Sequence, residues 1–337
     1  MRTHTRRSFL NFIDRTATPA ETYWLHVNRT AMACRFEITL PTEEREGVAA
    51  AVEALNEVDR IEGQLTVFRD TSPVSYINRR AAQGPVEVDR ALFELVAQCK
   101  QIYSETSGAF DITSGPLTRC WGFFKRQGRF PDATEIRTAM DNVGSDKLIL
   151  DNDSLSVSFA TEGMEINLGS IGKGYALDCV ATLLRDTLDS ALVSAASSSF
   201  QAVGSGGPDR KGWVVGLRNP RSKRARLGVL ELHDCALSTS GSEEQFFEHQ
   251  GKQFGHIIDP RTGWPSTGIS SVSVVCESAA MSDALSTAFF VGGLELAERY
   301  CNTHPETLAV ILEADSEKPV VIGNHRNCEI SMLSGSA

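Results

Sequence analysis

The chain contains no run of about 18 apolar residues, so the sequence offers no candidate for a membrane-spanning helix. It also lacks an excess of positive charge, because 33 lysine and arginine residues against 43 aspartate and glutamate residues give a net charge of −10. Proteins that bind nucleic acid need a basic surface, and this balance argues against nucleic acid as a main partner. Hydrophobic residues form 41% of the 337 residues, which is typical of a globular protein with a large core.

Paired cysteine motifs are also missing. The eight cysteines lie far apart, with no Cys-x-x-Cys motif and no histidine at zinc-site spacing. Several of them stand in apolar runs, for example Cys99 and Cys276, which is typical of buried thiols that pack as small hydrophobic groups. We therefore expect free cysteines and a reducing compartment.

The N-terminus carries an incomplete export signal. The Arg6-Arg7 pair resembles a twin-arginine signal, but Asp14 and Arg15 interrupt the apolar stretch that such a signal requires. We therefore expect residues 1–22 to be a disordered N-terminal segment. We also expect a cytoplasmic protein that keeps its N-terminus intact.

The order of hydrophobic patterns predicts an α+β fold, with mixed sheets flanked by helices, rather than a doubly wound βαβ fold. Residues 23–40 read as two strands, and amphipathic helices are expected over 43–65, 89–105 and 171–187. The second half alternates strands and turns, including a strand over Gly255–Ile258, before a helix that starts at Ser282. A glycine pair at 292–293 should interrupt that helix. We expect a single domain over residues 23–330, and this length is compatible with a division of the domain into two lobes.

The last of these helices carries a candidate metal site. Asp283 and Thr287 stand four residues apart, so a helix places both side chains on one face. Carboxylate and hydroxyl oxygens are ligands that Mg²⁺ prefers, although pairs at this spacing are common on ordinary helices. Ser282 is the expected N-cap, which would direct the first N–H groups of this helix towards phosphate oxygens.

A glycine-rich segment, Asn167 to Tyr175, is the second candidate. Its glycines would let backbone N–H groups approach a phosphate, and Lys173 would add a positive charge at a helix start. The spacing is neither that of a Walker loop nor that of the Gly-x-Gly-x-x-Gly dinucleotide motif. An ordinary turn that leads into a helix explains the same pattern.

Two further segments combine polar and aromatic groups. In Ser107-Gly108-Ala109-Phe110-Asp111, an aromatic ring and an acid follow a helix-ending glycine, as in a site that holds a planar ring. His256 precedes an Asp-Pro-Arg-Thr-Gly turn and is a candidate general base or phosphate ligand. A serine hydrolase is disfavoured, because no Gly-x-Ser-x-Gly motif occurs. Trp121-Gly122-Phe123 is interpreted as core packing.

Seven segments taken together resemble one family. They are Met32-Ala33-Cys34, Leu65-Thr66-Val67-Phe68, Ser107 to Asp111, Leu168–Tyr175, Ser238-Thr239-Ser240-Gly241, His256 to Gly263, and Asp283–Thr287. In this order, over about residues 24–323, the chain resembles the ApbE family of FAD:protein FMN transferases. The resemblance implies a Mg²⁺-dependent enzyme with FAD in a cleft of an ApbE-like flavin transferase fold. Such an enzyme moves the FMN moiety of FAD to a Ser or Thr hydroxyl of a target flavoprotein and releases AMP.

The resemblance also implies roles for individual residues. The metal would be held by the side chains of Asp283 and Thr287, and by the backbone carbonyls of Ser170 and Ser286. His256 would lie at the reacting phosphates, and Asp283 would be catalytic through the metal. The contacts with FAD would come from Met32, Phe68, Ala109, Phe110, Asp111, Asn167, Lys173 and Ile257.

This chain departs from the family pattern at three places. Ala33-Cys34 replaces Gly-Thr after the methionine, and Asn167 stands where Asp is common. The segment Ala195-Ala196-Ser197-Ser198-Ser199 replaces a frequent glycine pair followed by Asp or Asn. Two alternatives therefore stay open at this point: an FAD pyrophosphatase that gives FMN and AMP, and a flavin-binding protein without catalysis.

Overall fold

The computed structural model describes residues 23–333, except 208–209 and 243–244. The segment expected to be disordered, 1–22, and the Arg6-Arg7 pair within it lie outside the described residues. Across the described part of the chain, no helix is both long enough and apolar enough to cross a membrane. All eight cysteines are free, as predicted, and only Cys34 and Cys179 among them are partly exposed.

The described residues form seven α-helices and sixteen β-strands. The helices are α1 Val48–Leu65, α2 Pro73–Arg80, α3 Arg90–Glu105, α4 Gly115–Cys120, α5 Ala133–Met140, α6 Gly172–Arg185 and α7 Ala279–Thr303. The strands are β1 Trp24–Ala31, β2 Cys34–Pro41, β3 Val86–Glu87, β4 Leu148–Asp151, β5 Ser156–Phe159, β6 Ala191–Ala195, β7 Ser199–Val203, β8 Trp213–Asn219, β9 Ser222–Leu232, β10 Ala236–Gly241, β11 Phe246–His249, β12 Lys252–Gly255, β13 Ile269–Cys276, β14 Leu308–Glu313, β15 Val320–Gly323 and β16 Cys328–Met332.

An eight-stranded sheet in the order β1-β2-β6-β7-β10-β13-β14-β15 forms the centre of the molecule. Every neighbouring pair in it is antiparallel. Helices α1, α6 and α7 pack on it through the main hydrophobic core. A second core joins strands β10, β13 and β14 to the small sheet β16-β9-β8, and its residues include Trp213, Leu230 and Leu237. The predicted α+β class, with helices flanking the sheets, is confirmed.

The helices of the first half follow the predicted periodicity closely. α3 begins after Asp89, whose side chain accepts a hydrogen bond from the Leu92 N–H at 2.9 Å and caps the helix, so the helix predicted over 89–105 is confirmed. The helix predicted over 43–65 is shorter, because Thr42–Gly47 forms a 3₁₀ turn before α1 starts at Val48. Its buried face includes Leu55, Val58 and Ile61 at helical spacing.

The predicted start of α7 at Ser282 is wrong. The helix begins at Ala279, and the Ser278 side chain accepts a hydrogen bond from Met281 N–H at 3.3 Å. Ser282 is buried within the helix and donates its hydroxyl proton to the Val274 carbonyl at 2.7 Å. A capping side chain reaches only the N–H groups two or three residues along the chain. Ser278 therefore caps a helix that begins at Ala279, and Ser282 is too far along the chain to do so. The predicted interruption is confirmed as a kink at Gly293, where φ is 68°.

The first turn of α7 is also closed to a phosphate. The Asp178 carboxylate of α6 accepts hydrogen bonds from the N–H groups of Ala279 at 2.7 Å and Ala280 at 2.9 Å. It accepts a third from the Ser278 hydroxyl at 2.7 Å. Partial burial raises the pKa of Asp178, and these bonds oppose that rise. The predicted role of this helix start in phosphate binding is therefore wrong.

The strand predicted over Gly255–Ile258 is displaced. β12 ends at Gly255, where it closes a hairpin with β11, and the next residues form a turn that Asp259 organises. Asp259 N–H donates to the Trp264 carbonyl at 2.8 Å, and its side chain accepts from Arg261 N–H at 2.9 Å. The Asp-Pro-Arg-Thr-Gly sequence supplies the residues that turns favour, so the chain reverses here rather than extending.

Candidate active site

A cleft of about 410 Å³ lies where α6, α7 and β10 meet the segment around α4 and the turn after β12. Its walls are formed by Phe68, Ala109, Phe110, Asp111, Ser114, Thr118, Phe123, Phe124, Arg126, Asn167, Gly169, Ser170, Lys173, Ser198, Thr239, Ser240, Gly241, Gln245, His256, Ile257, Ile258, Pro260, Asp283 and Thr287. Residues that are distant in sequence are thereby brought to one cavity of the size that small-molecule sites have.

Most of the residues predicted from the sequence line this cleft. Those that do are Phe68, Ala109, Phe110, Asp111, Asn167, Ser170, Lys173, His256, Ile257, Asp283 and Thr287. Two do not contribute to its walls. Met32 lies in the β1–β2 turn and packs against the main core, and Ser286 is fully buried in α7 behind Asp283 and Thr287.

Lys173 and Asp283 face each other at the centre of the cleft. The Lys173 Nζ lies 3.3 Å from Asp283 Oδ1 and 3.4 Å from Oδ2. The Gly174 N–H donates to Asp283 Oδ2 at 3.2 Å. The Asp283 side chain is only 7% exposed and that of Lys173 is 26% exposed, so this is a partly desolvated pair. Because Lys173 and Gly174 belong to the first turn of α6, the positive end of this helix also favours the carboxylate.

Hydroxyl groups surround the backbone of Asp283. The Asp283 carbonyl accepts hydrogen bonds from Ser286 Oγ at 2.9 Å and from Thr287 Oγ1 at 3.3 Å. The Ser240 hydroxyl, at the end of β10, lies 2.8 Å from Ser286 Oγ and 3.4 Å from Thr287 Oγ1. Strand β10 and helix α7 are thus joined by hydroxyls beside the predicted metal ligands. Ser240 lies in one of the segments that carry the family resemblance, but no role was predicted for it.

The donor atoms at this position fit a hard cation. Across the described residues, no cluster of three or more His, Cys, Asp or Glu side chains is close enough to form a metal centre. A metal here would therefore depend on one carboxylate, Asp283, together with hydroxyl and carbonyl oxygens such as those of Thr287 and Ser170. All of these are oxygen ligands, which suits Mg²⁺, an ion that commonly keeps several of its waters.

His256 has a defined ring orientation. Its Nδ1 lies 3.1 Å from the Gln245 carbonyl, which also accepts the His256 backbone N–H at 3.0 Å. A carbonyl can only accept, so the ring proton stands on Nδ1, and Nε2 is the proton-accepting nitrogen of the neutral imidazole. Both residues line the cleft and flank the β11–β12 hairpin, which therefore holds the histidine at the cavity wall.

Asp111 shapes the cleft wall. Its Oδ1 accepts hydrogen bonds from Thr113 N–H at 2.8 Å, Thr113 Oγ1 at 2.7 Å and Ser145 Oγ at 2.6 Å, and Oδ2 accepts one from Ser145 N–H at 3.2 Å. Burial raises the pKa of this carboxyl, against the effect of these bonds. The carboxylate is thus bound within the protein, and its support of the loop accounts for the acid in the Ser-Gly-Ala-Phe-Asp motif.

Aromatic rings stand at another wall of the cleft. Phe68 is 72% exposed, and its ring centroid lies 4.8 Å from that of Phe124. The Arg119 guanidinium lies 3.8 Å from the Phe124 ring, a cation–π contact that fixes the ring further. Trp121 and Phe123 are buried, as predicted. Phe123 also lines the cleft, and so does Phe124, the next residue along, for which no role was predicted from the sequence.

Two tight turns carry two of the three departures from the family pattern. In the β1–β2 turn, Met32 and Ala33 have φ angles of 49° and 58°. In the β6–β7 turn, Ala196 and Ser197 have φ angles of 59° and 89°. Glycine is favoured where φ is positive, so the glycines that the family resemblance implies in these two turns would be unstrained, whereas an L-residue there costs about 1–2 kcal/mol.

Relief of this strain is expected to stabilise the protein. We expect Ala196→Gly to raise the free energy of unfolding by about 1 kcal/mol, because glycine adopts the left-handed region without a Cβ clash. Urea unfolding of both proteins measures the difference. Ala195→Gly, in the neighbouring strand position of β6, is the control and should destabilise the protein. An unfolding midpoint for Ala196→Gly below that of the unchanged protein would show that the turn is not strained.

Comparison with known proteins places this geometry in a family. The family model described as ApbE family matches residues 32–312. The FAD:protein FMN transferase of Klebsiella pneumoniae (strain 342) is 33% identical over 241 residues, covering 71% of this chain and 74% of that protein. The FAD:protein FMN transferase of Treponema pallidum (strain Nichols) is 32% identical over 276 residues, covering 78% and 76%.

Solved structures agree with the sequence relatives. The crystal structure of the ApbE protein of Thermotoga maritima has a TM-score of 0.80 at 28% identity, covering 89% of this chain and 96% of that one. The apo form of the flavinyl transferase ApbE of Pseudomonas stutzeri has a TM-score of 0.77 at 26% identity, covering 89% and 94%. With the family model matched over most of its length, the chain belongs to the ApbE family.

Proposed function

We propose that the protein is a Mg²⁺-dependent FAD:protein FMN transferase that acts on a Ser or Thr hydroxyl of a target flavoprotein. The observation that carries the proposal is the convergence of Lys173, Asp283, Thr287 and His256 on one cleft. Membership of the ApbE family and relatives named FAD:protein FMN transferase support it. Eight free thiols support a reducing compartment, and we propose the cytoplasm.

The reaction is a phosphoryl transfer at the pyrophosphate of FAD. The acceptor hydroxyl oxygen forms a new bond to the phosphorus on the flavin side, and the bond from that phosphorus to the bridging oxygen breaks. AMP leaves with the bridging oxygen and its electron pair, and the hydroxyl proton is lost to a base. His256 suits this last role, because its Nδ1 contact with Gln245 leaves Nε2 as the proton acceptor.

Charge neutralisation at the pyrophosphate is the other requirement. A bound Mg²⁺ would be held by the side chains of Asp283 and Thr287 with the carbonyls of Ser170 and Ser286, and it would neutralise developing charge on the phosphate oxygens. Lys173 adds a positive charge beside the same carboxylate.

The flavin and adenosine parts of FAD would contact the remaining walls. Phe68 offers an exposed ring face. Ala109 and Phe110 also line the cleft, but they are almost fully buried and expose little surface to it. We propose that Asn167, Ile257 and Asp111 complete these contacts, Asp111 through the loop that it supports. Met32 would contact FAD from the β1–β2 turn.

Lys173 and His256 are expected to have separable roles. With Mg²⁺ present, Lys173→Ala should raise the dissociation constant of FAD by about tenfold or more, because a charge-assisted contact contributes about 1.5–3 kcal/mol. His256→Ala should leave FAD affinity nearly unchanged while turnover falls steeply. Calorimetric titration with FAD, beside a turnover assay, measures both effects. Loss of FAD binding in His256→Ala with an unchanged rate at saturation would reverse the two roles.

The overall activity can be tested directly. A candidate acceptor flavoprotein is co-expressed with this chain, and its intact mass is measured; the proposal predicts an increase by one FMN moiety that is absent when the acceptor hydroxyl is removed. Incubation with FAD and Mg²⁺ alone tests the two alternatives. Rapid release of FMN and AMP to water would indicate an FAD pyrophosphatase, and unchanged FAD in both experiments, with binding retained, would indicate a flavin-binding protein without catalysis.

A further inference from the structure

The ammonium of Lys173 lies where a metal bound to Asp283 would carry its charge. Both carboxylate oxygens are within 3.4 Å of Nζ, so the contact is nearly symmetric. Among the described residues, Lys173 is the one cation within salt-bridge distance of Asp283. In the protein without a metal, the negative charge of this buried carboxylate is therefore balanced by a lysine.

A metal ion and this lysine compete for the same oxygens. Mg²⁺ binds carboxylate oxygen at about 2.0–2.1 Å, and it needs a lone pair that points at the ion. Oδ2 already accepts from Gly174 N–H at 3.2 Å as well as from Lys173. A divalent ion on either oxygen would repel an ammonium that lies 3.3–3.4 Å from both of them, so metal binding favours movement of the ammonium away from Asp283.

The lysine is able to move without unfolding its surroundings. Its side chain is 26% exposed, and it extends from the first turn of α6, with a flexible four-carbon stem. Asp283 is held on α7, and the backbone bond from Gly174 keeps its carboxylate in place when the ammonium leaves. A pyrophosphate bound in the same cleft would give the displaced ammonium a new anionic partner.

We infer that Lys173 is a positioning residue that occupies the cation position at Asp283 until a divalent metal displaces it towards the pyrophosphate of FAD. The inference rests on the proposed function, because it concerns the same metal and the same substrate. Metal binding then prepares the lysine for FAD, and FAD draws the lysine away from the metal ligand. The two ligands consequently bind with positive cooperativity, and the movement of this side chain adds to the direct attraction between the metal and the pyrophosphate.

The test uses the full chain and Mg²⁺ alone, titrated by calorimetry without FAD. Lys173→Met should bind Mg²⁺ about tenfold more tightly than the unchanged protein, equivalent to about 1.4 kcal/mol, since no ammonium has to be displaced. Lys173→Arg keeps the charge and should bind Mg²⁺ with nearly the unchanged affinity. Arg126→Met removes a positive charge that lines the same cleft without any contact to Asp283 among the described residues, and should change Mg²⁺ affinity by less than about twofold.

A second titration measures the coupling. In the unchanged protein, saturating Mg²⁺ should tighten FAD binding, and in Lys173→Met this tightening should be smaller, because only the direct attraction between Mg²⁺ and the pyrophosphate remains. Thermal unfolding of each variant, with and without Mg²⁺, shows whether the proteins are folded and reports metal binding independently.

The outcomes separate this inference from the proposed function. Equal Mg²⁺ affinity in Lys173→Met and the unchanged protein would overturn the inference and leave the proposed transferase intact. If Arg126→Met gained as much Mg²⁺ affinity as Lys173→Met, the inference would be overturned too, because the gain would then come from the loss of any positive charge in the cleft. Absence of Mg²⁺ binding to every protein, with or without FAD, would remove the metal from the proposed function and the inference with it.

Discussion

Asp283→Ala is expected to lower flavin transfer by at least about a thousandfold, equivalent to about 4 kcal/mol of transition-state stabilisation. The side chain is the one carboxylate at the centre of the cleft that Lys173 and the Gly174 N–H hold in place. Without it, Thr287 and backbone carbonyls alone cannot hold a divalent cation on the pyrophosphate. The rate of FMN transfer at saturating FAD and Mg²⁺ measures the effect.

FAD affinity provides the contrast in the same experiment. It should weaken by less than about tenfold in Asp283→Ala, because the aromatic and backbone walls of the cleft remain. Glu298→Ala is the matched control, an exposed acid on the same helix, and should transfer FMN at the unchanged rate. Full activity of Asp283→Ala at ordinary Mg²⁺ concentrations would contradict the metal assignment.

Gly174→Ala is expected to destabilise the protein by about 3 kcal/mol, the largest effect on stability that we predict. A Cβ at this position would lie 2.1 Å from the Ala279 carbonyl oxygen and 2.7 Å from Ala280 Cα. Both are backbone atoms, which cannot rotate away, so α6 and α7 would have to separate. That separation would also lengthen the Gly174 contact with Asp283 and the contacts of Asp178 with the α7 start.

Gly172→Ala, two residues earlier in α6, is the control for this change. Its Cβ would meet only Leu65 Cδ1 at 3.4 Å, an ordinary contact, and alanine favours a helix by about 1 kcal/mol relative to glycine. Gly172→Ala should therefore be neutral or slightly stabilising. Urea unfolding and Mg²⁺ titration of both variants decide the matter, and equal unfolding midpoints would show that the close helix contact is unimportant.

The elements that the sequence predicts well are those with a strong local signal. α3 has an Asp89 cap and a helical apolar stripe, and the Gly292-Gly293 pair marks the α7 kink. Strands β7 and β10 have no such signal, since Ser-Phe-Gln-Ala-Val and Ala-Leu-Ser-Thr-Ser-Gly contain few β-branched residues and owe their position to burial in the sheet. Helix α4 contains Gly115 and Pro116, which suggest a turn rather than a helix.

The candidate site shows the same contrast between residues with a local sequence signal and contacts that depend on packing. Local sequence alone marked Asp111, Lys173, His256 and the Asp283/Thr287 pair as candidates, as in the turn after His256. Phe68, Ser170 and Ile257 were implied only by the resemblance to the ApbE family. The contact of Lys173 with Asp283 joins residues 110 positions apart, and that of Asp178 with Ala279 spans 101. No local pattern encodes such a pair, which depends on how closely two helices pack. The role of Gly174 was interpreted as phosphate binding for this reason, whereas the structure shows that it permits helix contact.

The central sheet sets the order of events during synthesis of the chain. Strand β2 pairs with β6, and the hydrogen bond from Ser194 Oγ to the Glu37 carbonyl joins residues 157 positions apart. At about 5–20 residues per second, the ribosome takes roughly 8–30 s to deliver β6 after β2 has emerged. During that interval the edge of β2 that later pairs with β6 has no partner. The β1–β2 hairpin then exposes side chains, such as Phe36 and Ile38, that are buried in the folded protein. We therefore expect the nascent chain to be most exposed to strand pairing with other chains over this window.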